Sequence, residues 1–95
     1  KAARLVSFRD DDGSFRFRLL DASGEQLLLS IGFADGKAAG QVSKRLQTGE
    51  ALDLRAADSS FALWLDDQQI ATAPEFADLA ERDAAMDRVR EALAV

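Results

Sequence analysis

Cysteine, histidine and tyrosine are absent from this sequence, and proline, tryptophan and methionine occur once each. Without cysteine there are no disulfides, no thiolate metal ligands and no thiol nucleophile. Without histidine the chain lacks the commonest general base and the commonest metal ligand. No apolar run approaches the roughly 20 residues of a membrane span, and the first residues show no signal-peptide pattern. The expectation is a cytoplasmic protein with no metal, no cofactor and no membrane contact.

What is present is ordinary for a folded domain. The 95 residues are 47% apolar and 31% charged, too apolar for disorder and long enough for one modest core without cross-links. The net charge of −5 is unevenly spread. Residues 1–47 hold eight Lys/Arg against six Asp/Glu, and residues 48–95 hold four against eleven. Any polyanion contact would therefore belong to the first half. The chain opens at Lys1 rather than methionine, and nine arginines stand against three lysines in an alanine-rich composition. Together these suggest a piece of a larger protein from a GC-rich bacterial genome.

Residues 15–33 read FRFRLLDASGEQLLLSIGF. Phe15, Phe17 and Leu19 alternate with Arg16 and Arg18, the period-two pattern of a strand buried on one face. Asp21–Gly24 supplies a hairpin turn, and Leu27, Leu29 and Ile31 form a second inward row. Beyond Phe33 the period changes: Asp35 is a helix N-cap, and Ala38, Ala39, Val42 and Leu46 recur at helical spacing. A second copy follows at 61–76, FALWLDDQQIATAPEF. Phe61, Leu63 and Leu65 match the first row, Asp66-Asp67 make a tighter hairpin, and Phe76 answers Phe33. Asp78 with Glu81 reads as a capping box ahead of the stripe Ala85, Met86, Val89 and Leu93. Short strands at 4–9 and 50–56 precede the two copies.

The predicted fold is α+β: two tandem β-β-β-α repeats, about 4–47 and about 50–94, sharing one antiparallel sheet with both helices on one face. One such unit cannot bury its apolar face alone, whereas two sharing a sheet can. The residues Gly13, Phe15, Phe17, Leu19, Gly24, Ser30, Gly32, Phe33 and Ala39 give a pattern that resembles the YegP-like family, and the resemblance implies this same architecture over residues 1–95. The second copy departs from it, with Ala73-Pro74-Glu75 in place of Ser-x-Gly and about four extra residues before its helical stripe. The family has no defined activity to carry over.

No chemistry-bearing motif assembles. GFADGKAAG (32–40) has a phosphate-loop flavour but the wrong glycine spacing, and Ala38 stands where a Ser/Thr must hold magnesium. DDDG (10–13) has consecutive rather than alternate carboxylates and reads as a turn, not a calcium loop. With no nucleophile–base pair, the segment is expected not to be an enzyme. By register, the sheet face away from the helices carries Arg16, Arg18 and Leu28 from the first copy with Ala62 and Trp64 from the second, Trp64 standing where Arg18 stands in the first. Trp and Arg concentrate in interface hot spots and also stack on unpaired bases. Arg16, Arg18, Leu28 and Trp64 are the candidate binding set. The alternative is ordinary packing, with the arginines paired to Asp53 or Asp66.

The first copy, with AAGQ (38–41) and RL (45–46) downstream, is also similar to the C-terminal extension of some proteobacterial tryptophanyl-tRNA synthetases. Those enzymes need HIGH-like and KMSKS-like signatures to handle ATP, and neither occurs here. The resemblance implies a non-catalytic accessory domain of a larger protein, contacting its parent, another protein chain, or tRNA through the first repeat. The other expectation is a free-standing module for self-association or protein interaction.

Overall fold

The computed structural model describes residues 3–48 and 53–93. Strands β1 (Arg4–Arg9), β2 (Phe15–Leu20) and β3 (Gln26–Ser30) are followed by helix α1 (Gly36–Gln47). Strands β4 (Asp53–Ala57), β5 (Ser60–Leu65) and β6 (Gln68–Thr72) lead to helix α2 (Leu79–Leu93). All pair antiparallel in one six-stranded sheet of order β1-β2-β3-β6-β5-β4, so the halves meet at the centre through β3 and β6. This is the predicted α+β architecture. Of the predicted second repeat, residues 50–52 and 94 lie outside the described residues.

Turn chemistry closes the hairpins as the sequence suggests. Gly13 and Gly24 take positive φ of 87° and 93°, each donating its N–H back to the aspartate that opens its turn. The β5–β6 hairpin has only Asp66 and Asp67 between paired Leu65 and Gln68, and both sit at positive φ. Each helix is capped identically. The Asp35 carboxylate accepts the Ala38 N–H, and the Asp78 carboxylate accepts the Glu81 N–H, both at 2.8 Å.

The helices cover one face, α1 over β1 and β2 and α2 over β5. Phe17, Leu19, Leu28, Leu46, Leu63 and Val89 are fully buried between the layers. Phe17 stacks on Phe33, and Phe61 stacks on Phe76, with centroids 6.1 and 6.0 Å apart. These matched stacks set the true alignment of the repeats. Phe61 corresponds to Phe17, not Phe15, and Trp64 therefore corresponds to Leu20 rather than Arg18. The predicted extra residues before the second helical stripe are not inserted ahead of the helix: each helix begins three residues after its phenylalanine, and α2 is longer at its far end.

The β3 register also corrects the sequence reading. Leu19 pairs with Leu28, but Leu20 pairs with Gln26, so a β-bulge sets an extra residue, Leu27, against β2. Leu27 and Leu28 both turn into the core, at 3% and 1% exposure, and Leu29 goes to the opposite face beside Arg18. Leu28, expected on the open face, is thus a core residue. β6 repeats the device: Leu63 pairs with Ala71 and Trp64 with Gln69, leaving Ile70 as the extra, buried residue.

Candidate interaction surface

Each strand presents its alternate residues to the face that the helices leave open. The register aligns one row across all six strands: Val6, Arg18, Leu29, Thr72, Ala62 and Arg55. On the flanking rows, Phe8 pairs with Arg16, Arg4 with Leu20, and Trp64 with both Gln69 and Asp53. Val6, Phe8, Leu20, Leu29 and Trp64 are half-buried. The face therefore has an apolar middle that the core does not use.

Two arginines lie flat on aromatic rings here. The Arg18 guanidinium carbon is 4.2 Å from the centroid of Phe8, and that of Arg55 is 4.2 Å from the centroid of Trp64. Both are diagonal cross-strand pairs, where long side chains reach the ring beside their direct partner. Arg16 and Trp64 do stand on this face, so the structure gathers three of the four predicted residues, Arg16, Arg18 and Trp64, and removes Leu28. It adds Phe8, Leu29 and Arg55. Arg55 is the acidic half's own cation, and its position next to Trp64 becomes visible only once β4 is paired with β5.

The arginines differ in what holds them. Arg16 Nε lies 2.7 Å from Asp10 Oδ2, and Arg16 Nη1 donates to the Ser30 carbonyl at 2.9 Å. Arg55 Nε donates to Asp53 Oδ2 at 3.0 Å, and its Nη2 reaches Asp67 Oδ1 at 3.2 Å. The Asp53 hydrogen bond, with help from Asp67, raises the Arg55 pKa further above its ordinary value. The Asp66 carboxylate belongs to Arg45, at 2.7 Å. Arg4 and Arg18 have no ion pair or hydrogen bond among the described residues, and the Arg18 Nε is buried without an acceptor. The uncompensated positive charge of this face thus sits on its β1–β2 half, and the surplus carboxylates on its β4–β5 half.

Elsewhere, a cleft of about 260 Å³ opens between β1, β2 and α1, beside Phe8, Phe15 and Gly36. Its one hydroxyl, Ser7, has no base beside it in the lining. Among the described residues no group of three Asp or Glu is placed to hold a metal, and no helix is long and apolar enough to cross a membrane.

No family model matches the sequence. The chain is 73% identical over 94 residues to a tryptophan–tRNA ligase of Pseudomonas aeruginosa, and 55% identical over 97 residues to one of Bordetella pertussis. Each match covers 99% of this chain and 21% of the relative, so the chain spans about a fifth of the length of these curated relatives. In structure it resembles the yegP protein of unknown function from E. coli, with a TM-score of 0.81 at 20% identity over 97% of this chain and 86% of that one. A UPF0339 protein from Shewanella oneidensis gives 0.80 at 20% identity over 98% and 86%. The chain therefore has the fold of the YegP proteins and is, in sequence, similar to one portion of bacterial tryptophan–tRNA ligases.

Proposed function

We propose that this chain is a non-catalytic accessory domain of a tryptophan–tRNA ligase, and that its open sheet face is the surface by which it meets protein. The observation that carries the reading is the match of 99% of the chain, at 73% identity, inside a ligase about five times its length. The face itself argues for a protein partner. It is a half-buried apolar field set with Trp64 and stacked arginines, the composition of a contact centre. Arg16 and Arg55 are already neutralised within the chain, and the net charge is −5, which weakens any general attraction for phosphate. A second reading, tRNA contact, rests on Arg4 and Arg18, the two unpaired cations that the first repeat sets on this face. A ligase works where its tRNA is, so a cytoplasmic location follows from the same reading.

The test is a full-length ligase from which the segment matching residues 3–93 is removed. Tryptophan-dependent pyrophosphate exchange is expected to stay within about twofold, because activation needs no group from this domain. Loss of exchange in a folded deletion variant would overturn the non-catalytic reading. Arg18→Glu in the full-length ligase separates the partners: a raised KM for tRNA with kcat unchanged favours tRNA, and an unchanged KM favours protein.

A further inference from the structure

Resting on the reading of the open face as a protein contact, we infer that its partner is a second copy of this chain, packed face to face about a two-fold axis parallel to the strands. The argument is charge complementarity. Rotation about that axis lays the β1–β2 half of one copy over the β5–β4 half of the other. The unpaired Arg4 and Arg18 then meet the half that carries Asp53 and Asp67, and Trp64 of each copy comes over Arg16 of the other. In the shared row, Arg18 lies opposite the small Ala62, which leaves room for the guanidinium, and Leu29 lies opposite Thr72.

The other in-plane axis, across the strands, would set Arg18 over Arg18 and Arg55 over Arg55, so like charges exclude it. Sheets packed this way sit about 10 Å apart with their strands offset by about 30°. Six strands of five or six residues make a face of about 24 by 20 Å, so two copies bury on the order of 1,000 Å². That is the lower end of specific interfaces, and it predicts a reversible, salt-sensitive dimer.

Sedimentation velocity of the 95-residue chain, which buries a core of its own, is run from about 5 to about 500 µM at low and high salt. Concentration-dependent dimerisation is expected, weakened by salt and accompanied by a shift in Trp64 fluorescence. Arg18→Glu, or Arg18→Gln should the first not fold, is expected to weaken it at least tenfold, and so is Ala62→Lys, which sets a second cation against Arg18 of the other copy. Mixing the Arg18→Glu and Ala62→Lys chains is expected to restore association, because the carboxylate introduced at position 18 of one then faces the ammonium introduced at position 62 of the other.

A chain monomeric throughout, dimers indifferent to both substitutions, or a mixture that fails to reassociate would each overturn the inference. A monomer that binds tRNA through Arg18 would overturn it in favour of nucleic acid. The accessory-domain reading is decided separately, by the deletion in the ligase.

Discussion

Ser30 is buried, and its hydroxyl accepts the Phe17 N–H at 2.9 Å while donating to the Ile31 carbonyl at 2.8 Å. It occupies a place where β2 has run out of main-chain partners on β3. Ser30→Ala would strand the Phe17 N–H in the core and is expected to cost about 1–3 kcal/mol, measured by urea unfolding. In the second repeat Ala73 stands there instead, and the Ser60 hydroxyl reaches the Ala73 and Pro74 carbonyls at 3.0 and 3.1 Å. Asp67 offers the opposite case. A left-handed aspartate costs about 1–2 kcal/mol, of which glycine returns about 0.5–1 through its own flexibility. Asp67→Gly is therefore expected to raise stability by about 0.5 kcal/mol, despite losing a long contact to Arg55. Ser30, Gly32 and the two capping aspartates were legible from motif and spacing. Gly32 has a steric cause as well, since a Cβ there would lie 2.8 Å from Ser14. Phe8 was not legible, because β1 carries apolar residues in both phases, and alternation alone does not say which one the helices cover.

At the scale of the element, the bulge decides which leucine matters. Leu28→Ala, in the core, is expected to cost about 2–5 kcal/mol, whereas Leu29→Ala, on the open face, should cost under about 1. Equal losses in paired denaturation curves would refute the observed register. The run of three leucines at 27–29 hides any period, and a bulge leaves no compositional trace in it, so strict alternation placed Leu28 on the wrong side. The helices were better specified, by caps and by stripes that survive without knowledge of their partners. What the stripe of α2 concealed is Arg82, which stands where α1 has Ala39. Its Nη1 donates to the Asp58 carbonyl at 2.7 Å, holding a β4–β5 turn whose Asp58 is itself left-handed. Arg82→Ala should loosen that turn, read as faster amide exchange at residues 57–60 with little change in the centre of the sheet.

For the whole molecule, acid sensitivity comes from the turns. A Ser14 N–H holds the Asp12 carboxyl below its ordinary value, the Ser23 hydroxyl does so for Asp21, and Arg45 for Asp66. A depressed carboxylate adds stability above its unfolded pKa of 3.8 and loses it as pH falls through the lower folded value. Melting temperatures taken from about pH 5 down to about pH 2.5 should therefore decline below about 4, and Asp21→Asn should flatten part of that limb. With no histidine in the chain, no side chain of that type titrates near neutrality.

The strand order has a further consequence. Among the described residues no strand of either half is threaded between strands of the other, and the only ladder joining them is β3 to β6, Leu29 with Thr72 and Ser30 with Ala71. Covalent continuity between α1 and β4 is then a convenience rather than a requirement. Two peptides, 1–48 and 53–95, should each keep a three-stranded sheet with its own helix and recombine in solution as a one-to-one complex visible by native mass spectrometry. A molecule that can be split and reassembled in this way serves as a proximity reporter: proteins fused to its two halves would drive the sheet to zip closed when they meet.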